Sequence, residues 1–176
     1  MVLVNNNIWS IGKDAEKMAN IIYMTIDGEK QGNISEGCCS VDSVGNKFQS
    51  GHENEIFVYE MIGHLSRQQH AVHHPVEIRK SIDKSTPLIA HALSSNEKLT
   101  VGITFYRTSM SGGIELFFKV KLTGARLSDA RIYFPNSLTH NDVQPYESIS
   151  IQYESITWDH VMAGTSSYSI WSDRVY

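Results

Sequence analysis

The fold is decided by residues 146–176, which read YESISIQYESITWDH and then VMAGTSSYSIWSDRVY. In the first part, Ile149, Ile151 and Tyr153 alternate with polar residues. This period of two is typical of a strand with one buried and one solvated face. The next apolar residue, Ile156, follows Tyr153 at an interval of three, so the buried face changes side.

That change of side requires either a β-bulge or a strand that passes from one packed surface to another, and we expect it at residues 154–155. Gly164 then supplies a turn. The strand after the turn carries Tyr168, Ile170, Trp171 and Val175. We expect this strand to tie the end of the chain into a sheet.

Alternating apolar residues separated by turn residues recur along the rest of the chain. They predict strands at 20–27, 56–62, 74–82, 98–108, 114–122 and 126–134, with weaker signals at 33–35 and 38–41. The glycines at 112–113 predict a hairpin. Because the run at 56–62 is apolar at successive positions, we expect a central or doubly covered strand.

One short helix is predicted after the strand at 74–82, in which Val76, Ile78 and Ile82 are expected to point inward. Thr86 is the expected N-cap and Pro87 the first helical residue. About two turns cannot persist alone, so packing must hold them. Four residues form the expected buried side: Leu88, Ile89, Ala92 and Leu93. The predicted class is mainly β, an antiparallel two-sheet β-barrel or sandwich of about eight strands with one short flanking α-helix.

Composition narrows the possible functions. The 176 residues suffice for one domain with a real core. A net charge of −4 with scattered Lys and Arg argues against a nucleic-acid partner. No apolar run approaches the roughly 18–20 residues of a membrane helix, so we expect no membrane insertion. The amino terminus also lacks the pattern of a signal peptide.

Residues 1–17 lack the period-two pattern of the rest of the chain. We expect them to be a leader, a tag or an upstream start without ordered structure, and we place the domain at residues 18–176. The alternative is an amino-terminal arm that lies on a neighbouring copy.

No reaction centre is predicted. Cys38 and Cys39 are adjacent, which disfavours a disulfide, and no activating partner is identifiable for either thiol. His64, His70, His73 and His74 cluster without a matching Cys or carboxylate, which favours an exposed loop over a metal site. The chain also lacks a Gly-x-Ser-x-Gly motif and a phosphate-binding Gly motif. We therefore expect no catalytic, cofactor-binding or metal-binding residues. Four aromatic residues could line a cavity in a lipocalin-like barrel, but at strand spacing they more often form a core: Tyr153, Trp158, Tyr168 and Trp171.

A long segment rich in Gly, Ser, Asn and Asp covers residues 28–55. Long loops of this kind in compact domains tend to be functional or disordered. Phe48 in its middle is either an anchor for a partner or a residue that folds back on its own core.

Five stretches together resemble one family. They are MANIIYMTIDG at 18–28, HHPVEI at 73–78, DKSTPL at 83–88, FYRT at 105–108 and YESITWDH at 153–160. In this order they resemble the haemolysin-coregulated protein (Hcp) family, the tube subunit of bacterial type VI secretion systems. The ending YSIWSDRVY is similar to the enterobacterial branch of that family.

The resemblance implies a two-sheet β-barrel with a flanking helix, assembled as a homohexameric ring. It implies rings that stack into a tube, which a contractile sheath on a baseplate drives out of the cell with its spike protein. Small effector proteins would be carried and stabilised in the lumen. The protein would fold in the cytoplasm and be secreted without a signal peptide. The family has no catalytic residues unless a toxin domain is fused, and we expect none after Tyr176.

The resemblance also implies a role for the long loop, at about 37–54, in contacts between rings. Within it we assign ring stacking to Ser43, Val44, Gly45, Asn46, Lys47, Phe48, Gln49, Ser50 and Gly51. Two other hypotheses stay open. One is a monomeric β-barrel that binds a small ligand, and the other is an enzyme that uses Cys38, Cys39 or the histidines at 70–74.

Overall fold

The structure is a computed structural model that describes residues 20–140 and 142–172. The expected leader at 1–17 and Val175 lie outside these residues. The two helices are α1 (Val41–Val44) and α2 (Ser85–Ser94). The strands are β1 (Ile21–Gly28), β2 (Gly32–Asn33), β3 (Ile56–Ile62), β4 (Leu65–Arg67), β5 (Ala71–His73), β6 (Val76–Lys80), β7 (Leu99–Thr108), β8 (Ile114–Tyr133), β9 (Tyr146–Gln152), β10 (Ser155–His160) and β11 (Thr165–Ile170).

The strands confirm the predicted mainly β class. A nine-stranded antiparallel sheet runs in the order β11-β10-β8-β7-β1-β3-β6-β9, with β2 paired to β1. Because β9 also pairs with β8, six of these strands close into a barrel. Strands β4 and β5 form a separate two-stranded sheet. The barrel interior is filled by apolar side chains such as Met24, Ile26, Val101, Ile103 and Ile149, all 0% exposed.

Strand β8 closes the barrel because it is one strand of 20 residues, where the sequence predicted two strands at 114–122 and 126–134. Its first half pairs with β7 and β10, and its second half pairs with β9. Gly124, with φ of 59°, lies at the change of partner. This left-handed backbone conformation favours glycine, and a Cβ here would also displace the flexible side chain of Glu154.

The predicted change of side after Tyr153 is confirmed. Strand β9 ends at Gln152 and pairs with β6 and the second half of β8. Strand β10 begins at Ser155 and pairs with β11 and the first half of β8. Tyr153 and Ile156 are both buried. The chain therefore crosses from one packed surface to the other. Strand β11 then pairs with β10 and confirms the predicted strand at Tyr168 and Ile170, whereas Trp171 lies beyond the strand.

Helix α2 covers the core with Ile89 and Ala92, which are buried, while Leu88 and Leu93 are only half-buried. The predicted N-cap is wrong, because Thr86 lies inside the helix. Instead Asp83 Oδ1 accepts a hydrogen bond from the Ser85 backbone N–H at 2.8 Å. Helix α2 is short. No helix in the described part of the chain has the length and apolar character needed to cross a membrane.

The inward pattern of β6 also differs from the prediction. Val76 and Ile78 are buried as expected, but the third inward residue is Lys80, at 0% exposure. Ile82 lies beyond the strand and is half-buried. The Lys80 ammonium lies 3.0 Å from Asp83 Oδ1 and 2.9 Å from Glu147 Oε2, and both carboxylates are also buried. A buried ion-pair network therefore connects β6, β9 and the start of α2.

The central strand expected at 56–62 is confirmed as β3, which lies between β1 and β6. Two further expectations were wrong. The weak strand signal at 38–41 corresponds to a turn that buries Cys38 and Cys39. The histidine-containing segment, expected as a loop, contains the hairpin of β4 and β5.

Candidate assembly surfaces

The predicted stacking segment at 43–51 is compact. Helix α1 ends inside it at Val44, and a 3-10 turn follows at Gly45–Lys47. Gly45, Asn46, Gln49, Ser50 and Gly51 are exposed, whereas Ser43, Val44, Lys47 and Phe48 are half-buried. Polar, small residues thus form its outer surface. Whether Phe48 contacts a partner stays a prediction.

Hydrogen bonds fix this segment, which we call the 43–51 loop, to the barrel. The backbone N–H of Lys84, beside α2, donates to Ser43 Oγ at 2.9 Å. Lys47 Nζ donates to the hydroxyl of Tyr59 on β3 at 3.1 Å. The loop is therefore held from two sides and presents a defined surface.

An aromatic cluster supports the end of the loop. The His52 ring stacks on Tyr23 with centroids 3.9 Å apart, and it meets Tyr106 edge-on at 5.5 Å. His52 Nδ1 also pairs with the Glu55 carboxylate. Burial raises the pKa of Tyr23 to about 12, so its hydroxyl stays protonated. The ring contacts of His52 and its pairing with Glu55 fix the position at which the chain enters β3.

A second surface lies at the other end of β3. The 43–51 loop leads into β3 at Ile56, and β3 leads into the hairpin of β4 and β5 after Ile62. Seven residues of strand separate these points by roughly 20 Å. We call residues 63–75 the histidine hairpin. Leu65 is 41% exposed and Val72 46% exposed on its surface.

The four histidines of this hairpin have different environments. His64 and His74 stack with centroids 4.2 Å apart, and His74 Nε2 lies 3.2 Å from Ser66 Oγ. The expected exposed loop is wrong for His73, which is 6% exposed. Its ring nitrogens lie 3.0 Å from the Tyr153 hydroxyl and 3.0 Å from Ser169 Oγ. Within residues 20–140 and 142–172, no group of three or more His, Cys, Asp or Glu side chains could hold a metal ion.

Two more surfaces expose large apolar side chains. At the end of β8, Ile132 is 62% exposed and Phe134 is 70% exposed. On β11, Tyr168 is 73% exposed, so it belongs neither to the core nor to a cavity. Strand β11 ends the order of the large sheet, so its outer edge has no strand partner among the described residues. The surface at the end of β8 was not predicted from the sequence, although the run Ile-Tyr-Phe before Pro135 was a signal for it.

The hypothesis of a ligand-binding barrel has little structural support. Side chains fill the barrel interior. Hollows of about 350 and 310 Å³ lie on the surface instead, as does a third of about 210 Å³. Arg126, Glu154 and Trp171 are among its lining residues. Tyr153 and Trp171 pack edge-on at 5.0 Å, which makes them part of the packing around this hollow.

The two thiols lack activation. Cys38 Sγ donates a hydrogen bond to the Ile34 carbonyl at 3.3 Å. Burial raises the pKa of Cys38 to about 11 and also raises the pKa of Cys39. A nucleophilic cysteine needs a thiolate at neutral pH, and both environments disfavour one.

Comparison with known proteins gives the family. Residues 23–160 match the model of the family described as type VI secretion system effector, Hcp. The major exported protein of Pseudomonas aeruginosa PAO1 is 38% identical over 172 residues, covering 90% of this chain and 99% of that protein. The uncharacterised protein YhhZ of Escherichia coli K12 is 38% identical over 149 residues. These span 84% of this chain but only 37% of YhhZ.

Solved structures agree. A crystal structure of an Hcp protein superposes with a TM-score of 0.82 at 34% identity, covering 88% of this chain and 99% of that one. The secreted protein Hcp3 from Pseudomonas aeruginosa gives a TM-score of 0.80 at 37% identity, with 88% and 100% coverage. The chain therefore belongs to the Hcp family of type VI secretion proteins.

Proposed function

We propose that this chain is a tube subunit: six copies form a ring, the rings stack into a tube, and the tube is exported by a type VI secretion system. A ring closes when one surface of a copy binds a different surface of the next copy. The exposed apolar side chains at the end of β8 and on β11 supply two such surfaces. This observation carries the proposal, because exposed apolar clusters mark sites of protein contact.

The mass of the particle in solution tests the ring. A hexamer has about six times the 19.8 kDa of the chain, whereas a ligand-binding barrel stays a monomer or dimer. Light scattering coupled to size exclusion distinguishes these masses. A contact that persists needs about 800 Å² on each partner, so Phe134→Ser or Tyr168→Ser is expected to lower the mass. A lower mass in the matched control Thr100→Ser, an exposed position on β7, would show a nonspecific effect.

The 43–51 loop is proposed to contact the next ring. Its nine residues are Ser43, Val44, Gly45, Asn46, Lys47, Phe48, Gln49, Ser50 and Gly51. Support comes from its exposed polar surface and its hydrogen bonds to Tyr59 and Lys84. Deleting residues 43–51 is expected to leave rings intact and prevent stacking, as seen by electron microscopy. Loss of the rings themselves would show that the loop belongs to the ring contact instead.

The remaining partners follow from the same assembly. We propose that the tube contacts the spike protein, the contractile sheath and the baseplate, and that effector proteins are carried in its lumen. The protein folds in the cytoplasm and is then secreted without a signal peptide. Support comes from the similar proteins described as a major exported protein and a secreted protein. A charged fraction of only 19% suits a wall that holds cargo weakly.

We also propose that the chain is not an enzyme and works without a cofactor, a metal or a nucleic acid. Support comes from the buried, unactivated thiols of Cys38 and Cys39. Serine at both positions, or asparagine at His70 and His74, is expected to leave secretion unchanged. Loss of secretion with folding and ring mass unchanged would contradict this.

A further inference from the structure

We propose that His73 makes the attachment of strand β11 to the barrel dependent on pH, so that acid releases β11 and opens the ring. This inference rests on the proposed function, because it names the regulation of one of the two proposed ring surfaces. Tyr168, the exposed aromatic residue of that surface, lies on β11. A subunit in which β11 leaves its position therefore loses a surface on which closure of the ring depends.

Strand β11 has few attachments to the described part of the chain. It pairs with β10 along one edge, and five of its six residues are exposed. The exception is Ser169, which is half-buried. Directly after the strand, the Trp171 backbone N–H donates to the Glu154 carbonyl at 2.9 Å. An element with so little buried surface opens at a low free-energy cost, so its few side-chain contacts decide whether it stays in place.

One of these side-chain contacts is with a buried histidine. Ser169 Oγ lies 3.0 Å from Nε2 of His73, which is 6% exposed. The other ring nitrogen of His73, Nδ1, lies 3.0 Å from the Tyr153 hydroxyl. The centroids of the His73 and Trp171 rings are 5.7 Å apart. His73 therefore connects the histidine hairpin, the packing around Tyr153 and the end of β11.

The neutral form of His73 suits this site. A neutral imidazole has one N–H donor and one acceptor nitrogen, and each hydroxyl can take either role. Protonation would place a charge among Tyr153, Ser169 and Trp171, all of which are uncharged. Only Tyr153 can ionise among these three, and burial raises its pKa, so it supplies no negative charge at neutral or acidic pH. Burial accordingly lowers the pKa of His73.

The charged groups of the surrounding elements do not compensate such a charge. The histidine hairpin contains Arg67 and three further histidines but no Asp or Glu, so acid only adds positive charge to it. Arg126 and Glu154 line the surface hollow of about 210 Å³ beside Tyr153. Glu154 is paired there with Lys98 at 3.0 Å, and its side chain is 63% exposed, so solvent screens it.

The direction of the pH effect follows from the lowered pKa. The released state exposes His73 and binds the proton more tightly than the attached state does. Attachment is therefore most stable above the ordinary histidine pKa of about 6.5, and it weakens as the pH falls below that value. The equilibrium constant for release rises by about tenfold for each pH unit at most, which gives a limit of roughly 30-fold between pH 7.5 and pH 5.

Hydrogen exchange measured by mass spectrometry tests the release. After correction for the intrinsic pH dependence of exchange, protection of the peptide covering β11 is expected to fall by up to about 30-fold between pH 7.5 and pH 5, while protection of β1 stays unchanged. His73→Gln, which is neutral over this range, is expected to abolish the fall. Protection of β11 that is equal at both pH values, or that still falls in His73→Gln, would overturn the inference.

A pair of serine variants tests the contact without changing the histidine. Ser169→Ala removes the hydroxyl that faces His73, and it is expected to lower the protection of β11 already at pH 7.5. The matched control is Ser167→Ala, an exposed position on the same strand, which is expected to leave that protection unchanged. Equal protection of β11 in the two variants would show that His73 does not hold the strand.

The mass in solution tests the consequence for the ring. Light scattering is expected to give the ring mass at pH 7.5 and a lower mass at pH 5 for the parent, and the ring mass at both pH values for His73→Gln. A parent ring that keeps its mass at pH 5 would overturn this inference alone. A single-chain mass at pH 7.5 would instead overturn the proposed function, and hydrogen exchange of β11 would still test its attachment by His73.

Discussion

Replacing Lys80 by methionine is expected to destabilise the protein strongly. The Lys80 ammonium donates to the Ser81 carbonyl at 2.7 Å, to Asp83 at 3.0 Å and to Glu147 at 2.9 Å. The side chains of Lys80, Asp83 and Glu147 are each at most 2% exposed. Glu147 also accepts a hydrogen bond from Thr86 Oγ1 at 2.9 Å, so the network holds the start of α2 against the barrel.

The magnitude follows from what Lys80→Met leaves behind. Methionine is similar in length to the lysine stem, so the cavity is small and the packing cost minor. Two buried carboxylates, however, lose their cation. Removing one partner of a buried ion pair costs about 3–5 kcal/mol, because the remaining charge stays desolvated and uncompensated. We expect a decrease of that size in the free energy of unfolding.

Urea denaturation measures this decrease, at one chain concentration because assembly stabilises the folded state. The matched control is Lys119→Met on β8, an exposed lysine, for which we expect a change within about 0.5 kcal/mol. The double variant Lys80→Met/Glu147→Leu removes one of the orphaned carboxylates and should recover part of the loss. A Lys80→Met protein within about 1 kcal/mol of the parent would refute the reasoning.

Further predictions concern the helix, a histidine and a thiol. Ile89→Ala, at a fully buried position, is expected to cost about 2–5 kcal/mol in urea denaturation, and Leu93→Ala, at a half-buried one, clearly less; equal losses would contradict the packing of α2. Burial lowers the pKa of His73, so on acidification the unfolded chain binds its proton first, and stability should fall as the pH drops below about 6.5. His73→Asn should reduce this loss of stability, measured in thermal melts between pH 7.5 and pH 5. An equal loss of stability in the parent and the variant would contradict the prediction. Burial raises the pKa of Cys38 to about 11, so a thiol reagent at pH 8 should label it only on unfolding.

Local patterns predicted most of the strands. Alternation of apolar residues located β1, β7 and β9, because one face of each is buried and period two records this directly. The change of side after Tyr153 was also visible, since it alters the spacing of apolar residues. The continuity of β8 was not, because Gly124 reads as a turn residue, whereas here it bends a strand that continues.

The buried ion pair could not be predicted from local sequence. Lys80 and Glu147 are 67 residues apart, and a lysine at an alternating position ordinarily marks the solvated face. The prediction of the N-cap of α2 was wrong for a related reason. Asp83 is occupied both by Lys80 and by the Ser85 N–H, and only the tertiary structure shows this double role.

The candidate surfaces were predicted in part. Composition identified the long segment at 28–55, but not the short helix α1 within it, because four residues give no periodic signal. Strands β4 and β5 have three residues each, too few for alternation to be detected, so the histidine hairpin was missed as a structure.

Electron microscopy of the purified, negatively stained protein tests most directly whether copies of this chain meet around an axis. We expect annular particles with six-fold symmetry and an open centre. Particles that remain compact and single-copy at every concentration used would contradict a tube subunit.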